Sequence, residues 1–390
     1  MKYVIIGNSA AGIGAVQGIR QVDPHGDITI VTHEPHHTYS RPLISYLLQG
    51  KTTRDSMKYR PDDFYAAHNC ALLHGEVTQV SAGQVTLADG STLAYDKLLV
   101  GTGASPVVPP IEGLDSVPNR FTFTTLDDAL ALEAALDPSK RVLIIGAGLV
   151  GLKCAEGILK RVEQVTVADL APQILPAILD AESAAQVQAH LESHGVAFAL
   201  GQPAQPSNEY DIVVLAVGQR PNTALLQGIA QIEQGIVVND KSETTAANIY
   251  AAGDCTQTID IASGQSKVMA LLPNAFLQGE CAGINMAGGN ASFGKAIPMN
   301  AVGFFGLHIV TAGNYTGEVY TAPGKKLFHS GNRLNGFMLI GDVDKAGIYT
   351  SLIREQTPLD SIDFALICET PGLMAFTREH RQKTLGGEPT

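Results

Sequence analysis

Gly7, Ser9 and Gly12 fall on the G-x-G-x-x-G spacing with serine in the middle glycine's place, and Gly146, Gly148 and Gly151 fall on it in full. The chemistry open to this pattern is the holding of a pyrophosphate. The first glycine permits a tight turn out of a strand, and a small middle residue lets backbone amides approach the phosphates. The third lets the next helix pack close, with its N-terminus facing the negative charge. Each triplet has an acid downstream, Glu34 and Asp169, placed where a carboxylate accepts hydrogen bonds from an adenosine ribose. Asp169 would repel a 2′-phosphate, and Leu-Ala-Pro-Gln behind it offers no arginine to receive one, so the second motif predicts NADH over NADPH. An aspartate that merely caps a turn is the other reading of that position.

The elements that must position these residues are legible as apolar runs. Residues 3–6 read as a buried strand, 13–20 as a helix and 28–32 as a second strand. A connecting helix and the start of a strand are expected over 58–74. Short strands follow at 76–80, 84–87 and 92–94, with a hairpin turn at Ala88-Asp89-Gly90. The apolar strand 97–100 stops at Gly101-Thr102-Gly103-Ala104, small residues that let a backbone lie close to a ligand. Residues 106–113, bearing proline and glycine, read as a crossing between domains. The pattern then repeats: strand 141–145, a helix over LVGLKCAEGILKRV, and strand 164–168. Such a repeat implies two dinucleotide-binding domains in one polypeptide. Strand 211–217 ends at Gly218. Strand 249–252 ends at Gly253-Asp254, whose carboxylate could bind a ribityl hydroxyl or cap the next segment. A helix is expected over 274–286, then strands at 304–310, 326–329 and 337–340 in a smaller α+β domain.

With 390 residues, 45% hydrophobic and 16% charged, the composition is that of a globular protein of two or three domains. A net charge of −12 argues against nucleic acid as a partner, since phosphate binding needs a cationic face. No uncharged apolar run reaches eighteen residues, which argues against membrane insertion. The first strand begins almost at once and leaves no room for a signal peptide, so the expected location is cytoplasmic. Cys70, Cys154, Cys255, Cys281 and Cys368 show no metal spacing and read as reduced, buried thiols. His33, His36 and His37 read as residues of the loop around the first acid, and no metal site is expected. The basic spots Lys325-Lys326, Arg333 and 378–383 either dock an acidic iron–sulfur protein or are solvated charge.

With both motifs, Thr102-Gly103-Ala104 and Gly253-Asp254 in this order, the chain resembles the FAD-dependent pyridine nucleotide–disulfide oxidoreductase superfamily. The resemblance implies an α/β fold of two Rossmann-like dinucleotide-binding domains plus a small α+β C-terminal interface domain. It places a discontinuous FAD domain at 1–110 and 241–316, an NAD domain at 111–240 and the interface domain at 317–390. It implies that Gly7, Ser9, Ala11, Gly12, Glu34, Arg41, Pro42, Val77, Thr102, Gly103, Ala104, Asp254 and Asn274 line FAD. Gly146, Gly148, Leu149, Val150, Gly151, Asp169 and Gly218 would line NADH. The segment LNGFMLIGDVDKAGIYTSLI at 334–353 looks like the interface domain of the rubredoxin and ferredoxin reductase branch.

Three departures shape the functional expectation. Disulfide-using members carry cysteine on the helix after the first domain's loop, where this chain reads YSRPLISYLLQGK, so thiol relay chemistry is disfavoured. Ferredoxin reductases have a lysine at Tyr46 and a glutamate at Lys153, which makes these two the candidate catalytic pair. Lys153 either stabilises an anionic reduced flavin or forms an i,i+3 surface pair with Glu156. The usual antiparallel excursion of the NAD domain is nearly missing between 201 and 211. The resemblance then implies hydride transfer from nicotinamide C4 to flavin N5 and onward transfer to a small redox protein such as rubredoxin or ferredoxin. Alternatives are an NADH oxidase or a peroxide- or nitrite-reductase-associated flavoprotein, and a non-enzymatic flavin redox sensor. A homodimer is also an expectation.

Overall fold

The structure, a computed structural model, describes residues 1–294, 296–378 and 381. They fall into two compact units. One comprises 1–177, 188–258 and 266–294; the other comprises 178–187, 259–265 and the described residues from 296 onward.

The first unit holds two parallel five-stranded sheets. In one the strand order is Ile249–Ala251, Lys97–Val100, Lys2–Ile6, Asp27–Thr32 and Cys70–His74. In the other it is Val196–Leu200, Gln164–Asp169, Arg141–Ile145, Ile212–Leu215 and Asn119–Thr122. Every pairing in both is parallel. The central strands are nearly continuous runs of Val, Ile and Leu, as a sheet buried on both faces requires. The meander Val77–Ser81, Gln84–Leu87 and Thr92–Ala94 forms its own antiparallel sheet, and Gly90 turns its last hairpin at φ +83°. A ribbon of Ala104–Pro106 against Gln219–Pro221 links segments adjoining the two parallel sheets.

The first glycine-loop helix, Ala10–Val22, crosses the helix Leu272–Met286 at backbone distance. A Cβ on Gly14 would stand 2.3 Å from the Phe276 carbonyl oxygen, and one on Gly18 2.2 Å from that of Glu280. From the other side, a Cβ on Gly279 would stand 2.0 Å from the Ala11 carbonyl oxygen. The four-residue spacing puts these glycines on facing stripes.

The second unit is an antiparallel sheet ordered Met299–Phe304, Leu307–Gly313, Arg333–Ile340, Lys325–Ser330 and Glu318–Ala322, with the helices Ala346–Arg354 and Phe364–Glu369. The strand expected at 304–310 is instead two strands. The chain reverses at Phe305-Gly306, both at positive φ (+47° and +90°), and Phe304 pairs with Leu307. A phenylalanine at a turn position hides a hairpin from any reading of apolar runs. The sheet therefore begins at Met299, ahead of residue 317. The helix expected within 58–74 is only Phe64–Ala67. Of the basic stretch 378–383, only Arg378 and Arg381 lie among the described residues. No helix among them is long and apolar enough to cross a membrane.

Gly279→Ala is expected to destabilise the fold by roughly 1–3 kcal/mol, since the helices must part. Gly347→Ala, on an exposed helical turn with no atom within 4 Å of the new carbon, should be neutral or stabilising by up to about 1 kcal/mol. Parallel thermal melts test the pair.

Candidate functional site

The two glycine loops are built alike. Gly7 turns at φ +111° and Gly146 at φ +118°; a Cβ on either would strike a neighbouring strand-end carbonyl, 2.2 Å from Gly101 O and 2.3 Å from Ala216 O. A Cβ on Gly12 would stand 2.0 Å from Gly7 O, and one on Gly151 1.9 Å from Gly146 O. Ser9 and Gly148 are the N-cap residues, and neither side chain caps its helix. Neither helix has an acid in its first turn. The helix Leu126–Ala135 shows the contrast: Thr125 and Asp128 close a full capping box there. The first-turn amides of both glycine-loop helices thus have no side-chain cap and can face an external anion, and the space over Gly148 is open. Both cradles fit a pyrophosphate.

The acids are held differently. Glu34, 12% exposed, accepts from Tyr39 Oη at 2.7 Å and pairs with Arg41. Arg41 also donates to Thr124 O at 3.2 Å, and Tyr39 Oη accepts from Leu126 N at 2.9 Å. Burial opposes the Arg41 charge, but Tyr39 and Glu34 outweigh it and raise its pKa. Burial raises the Asp254 pKa above the ordinary carboxyl value, with Arg41 partly offsetting. Asp169 Oδ1 accepts from Ala171 N at 2.8 Å and Oδ2 from Ala147 N at 2.7 Å. It does cap a turn, and the same carboxylate grips the second glycine loop.

Thr102 and Gly103 are stitched to Asn222. Thr102 Oγ1 donates to Asn222 O at 2.7 Å, Asn222 Nδ2 donates to Thr102 O at 3.0 Å, and Asn222 N donates to Gly103 O at 2.9 Å. Ala104 opens the ribbon, Pro42 is the middle residue of the turn Arg41–Leu43, and Asn274 lies in the first turn of its helix. Ala11 and Val77 have their side chains in the hydrophobic cores. Leu149 and Val150 form the first turn after the second loop, and Gly218 follows its strand at φ +110° with open space beside it. The sequence reading missed Gln278, whose Oε1 accepts from Gly253 N at 2.8 Å and Thr256 Oγ1 at 3.0 Å, fixing the turn that carries Asp254. Its position four residues after Asn274, on the same helix face, was the available signal.

Tyr46 and Lys153 do meet. Lys153 Nζ lies 4.4 Å from the Tyr46 ring centroid and pairs with Glu156. That i,i+3 pair is not a surface one, since the Glu156 side chain is only 4% exposed. All five cysteines are free thiols, and burial pushes every one above its ordinary pKa, Cys255 to about 11. One of the basic spots, Lys325-Lys326, is consumed within the chain. Lys326 Nζ donates to Asp180 and Glu182, both at 2.6 Å, and Lys325 Nζ donates to Cys368 O at 2.5 Å. His36 Nε2 bonds Asp127 Oδ1 at 2.8 Å, and the His37 ring packs against Tyr65.

An Asp254 carboxyl raised by burial favours the folded chain when protonated. That contribution is present at low pH and lost as pH rises through the folded-state pKa. Asp254→Asn is therefore expected to raise the melting temperature of flavin-free protein by a few degrees at pH 7. The gap should close as pH falls toward 4, in melts run across that range.

The description of the pyridine nucleotide-disulphide oxidoreductase family matches residues 1–279. The chain is 33% identical to the NADH-dependent phenylglyoxylate dehydrogenase subunit epsilon of Aromatoleum evansii, over 92% of each chain. It is 33% identical to an NADH oxidase of Methanocaldococcus jannaschii, over 75% of this chain and 71% of that one. It is 28% identical to a rubredoxin-NAD(+) reductase of Pseudomonas putida, over 74% and 80%. Its fold is similar to that in the covalent putidaredoxin reductase–putidaredoxin complex, with TM-score 0.86, 23% identity and 99% of each chain covered. The two glycine cradles, with Glu34 and Asp169 behind them, are thus those of a member of the pyridine nucleotide-disulphide oxidoreductase family, an FAD-dependent enzyme that works with NAD(P)H.

Proposed function

We propose that this chain takes electrons from NADH and delivers them, through FAD, to a small redox protein. The observation that carries the reading is the pair of glycine-loop helices on one polypeptide, each with no side-chain cap and no acid in its first turn, with no cysteine on the helix Ile44–Leu48 that follows the first. The first cradle, with Glu34, Arg41, Thr102, Gly103 and Asp254, holds FAD; the second, with Asp169 and Gly218, holds NADH. In domain terms, 1–110 with the segment following 240 forms the FAD domain and 111–240 the NAD domain. The C-terminal sheet, from about residue 299, is the interface domain. Bound FAD supplies a ring that accepts hydride and releases electrons singly.

The chain's own residues align and stabilise. Asp169 selects the unphosphorylated ribose, having no arginine after it to take a 2′-phosphate. Lys153, fixed between the Tyr46 face and the Glu156 carboxylate, would hold its ammonium in place for negative charge on bound flavin. A protein acceptor is supported by the Pseudomonas putida relative, named for reducing rubredoxin, and by the Aromatoleum evansii relative, named as a subunit of a larger dehydrogenase. Direct reaction with oxygen is a second reading, favoured by the relative named an NADH oxidase.

Stopped-flow reduction followed by mixing with rubredoxin, ferredoxin or oxygen separates these readings. NADH should reduce the flavin at least about tenfold faster than NADPH, a modest specificity difference. A redox protein should then discharge it faster than air does. Faster discharge by oxygen would support the oxidase, and slow discharge by every acceptor would support the sensor. Lys153→Met should shift the flavin midpoint to a more negative potential and slow reduction by NADH roughly tenfold. Lys153→Met/Glu156→Gln should recover thermal stability without recovering the potential.

A further inference from the structure

Most non-glycine residues with positive φ in the described chain lie in turns or are residues that tolerate it, such as Asn69 and Asn248. Leu175 is different. It is a large apolar residue, 2% exposed, held at φ +49° in the loop that runs on from Asp169. A strained conformation persists where the surroundings over-determine it, and such positions gather at functional sites. The loop is tied at several points. Ala171 N donates to Asp169 Oδ1, Gly201 N donates to Ala171 O at 2.9 Å, and Ile174 beside Leu175 is fully buried.

A further tie reaches the second glycine loop. Leu175 N donates to Ala147 O at 2.9 Å, while Ala147 N donates to Asp169 Oδ2 at 2.7 Å. Ala147 lies between Gly146 and Gly148 and is completely buried. There is no cis peptide in the described chain. In a trans peptide the carbonyl and the N–H of one unit point in opposite directions. With the Ala147 carbonyl drawn to Leu175, the Gly148 N–H must face the other way. With the Ala147 N–H drawn to Asp169, the Gly146 carbonyl faces away from the acid, consistent with its close approach to Gly151. Both peptide planes flanking Ala147 are thus set from the loop below.

We propose that Leu175 is a positioning residue for the dinucleotide: its left-handed backbone directs an N–H that sets the Gly148 amide facing the NADH pyrophosphate. The side chain anchors the loop and the backbone does the aiming. Asp169 and Leu175 therefore act as two jaws on one residue. This rests on the second cradle being the NADH site, and it extends that reading to a residue outside the glycine motif.

The test compares Leu175→Gly, Leu175→Ala and Leu175→Ile in flavin-loaded protein. NADH Kd and the limiting reduction rate are taken from the concentration dependence of flavin reduction. Glycine adopts φ +49° freely, alanine less so, and β-branched isoleucine least. A core-packing role orders them oppositely, since isoleucine keeps the volume and glycine leaves the largest cavity. The expected NADH Kd is about threefold or less above wild type for Leu175→Gly, higher for Leu175→Ala and about tenfold higher for Leu175→Ile. Limiting rates should stay within about twofold and flavin content unchanged, even where Leu175→Gly melts earlier. If Leu175→Ile does not accumulate, the order of Ala against Gly decides. Kd rising most in Leu175→Gly, or melting temperatures falling with no change in Kd, would overturn the proposal. Wild-type protein that NADH does not reduce would instead overturn the assignment of the cradle.

Discussion

The structure depends on a steric exclusion at two points. The Gly7 carbonyl oxygen lies 2.0 Å from where a Cβ on residue 12 would stand, and the Gly146 oxygen 1.9 Å from one on residue 151. Only glycine lets each helix start that close to its strand end. That approach brings a row of uncapped amides over the carboxyl edge of a parallel sheet, where the helix dipole adds its partial positive charge. The rest of the first unit supports the arrangement. The glycine stripes on Ala10–Val22 and Leu272–Met286 lock the first helix down, and Gln278 holds the turn before Asp254. The Tyr39, Arg41 and His36 side chains tie the loop of the first acid to residues 124–127, which lead into the helix Leu126–Ala135 of the second sheet's segment.

The two acids show how one motif diverges in use. Glu34 is engaged by side chains, Tyr39 and Arg41, and the latter also feels Asp254. The first site is therefore a side-chain network of alternating charges around half-buried carboxylates, where pairing helps to offset desolvation. Asp169 is engaged by the backbone amides of Ala147 and Ala171, and through Ala147 it shapes the loop itself. The ribose acid in the second cradle is thus also part of the phosphate cradle's scaffold.

Much of this was legible in the sequence, because glycine spacing and β-branched apolar runs report directly on steric demand. The strands Lys97–Val100, Arg141–Ile145 and Gln84–Leu87 fall where the apolar runs end. The paired change at Tyr46 and Lys153 falls on two residues in contact, and the Glu156 pair beside them is buried. What escaped depends on long-range placement. The turn at Phe305-Gly306 is marked by a single glycine behind a phenylalanine inside an apolar run, and the left-handed Leu175 looks in sequence like any core leucine. Lys325 and Lys326 read as exposed charge until the chain brings Cys368, Asp180 and Glu182 to them. The helices Leu126–Ala135 and Ala181–Ser193 went unread, the former despite its Thr125–Asp128 capping box.

If one polypeptide holds FAD and NADH so that electrons pass between them, an anaerobic titration of flavin-loaded protein with NADH must show it. The yellow flavin absorbance is expected to bleach to completion at about one equivalent of NADH per bound FAD. A chain that retains no flavin on reconstitution, or whose flavin is bleached by a chemical reductant but untouched by excess NADH, would contradict it.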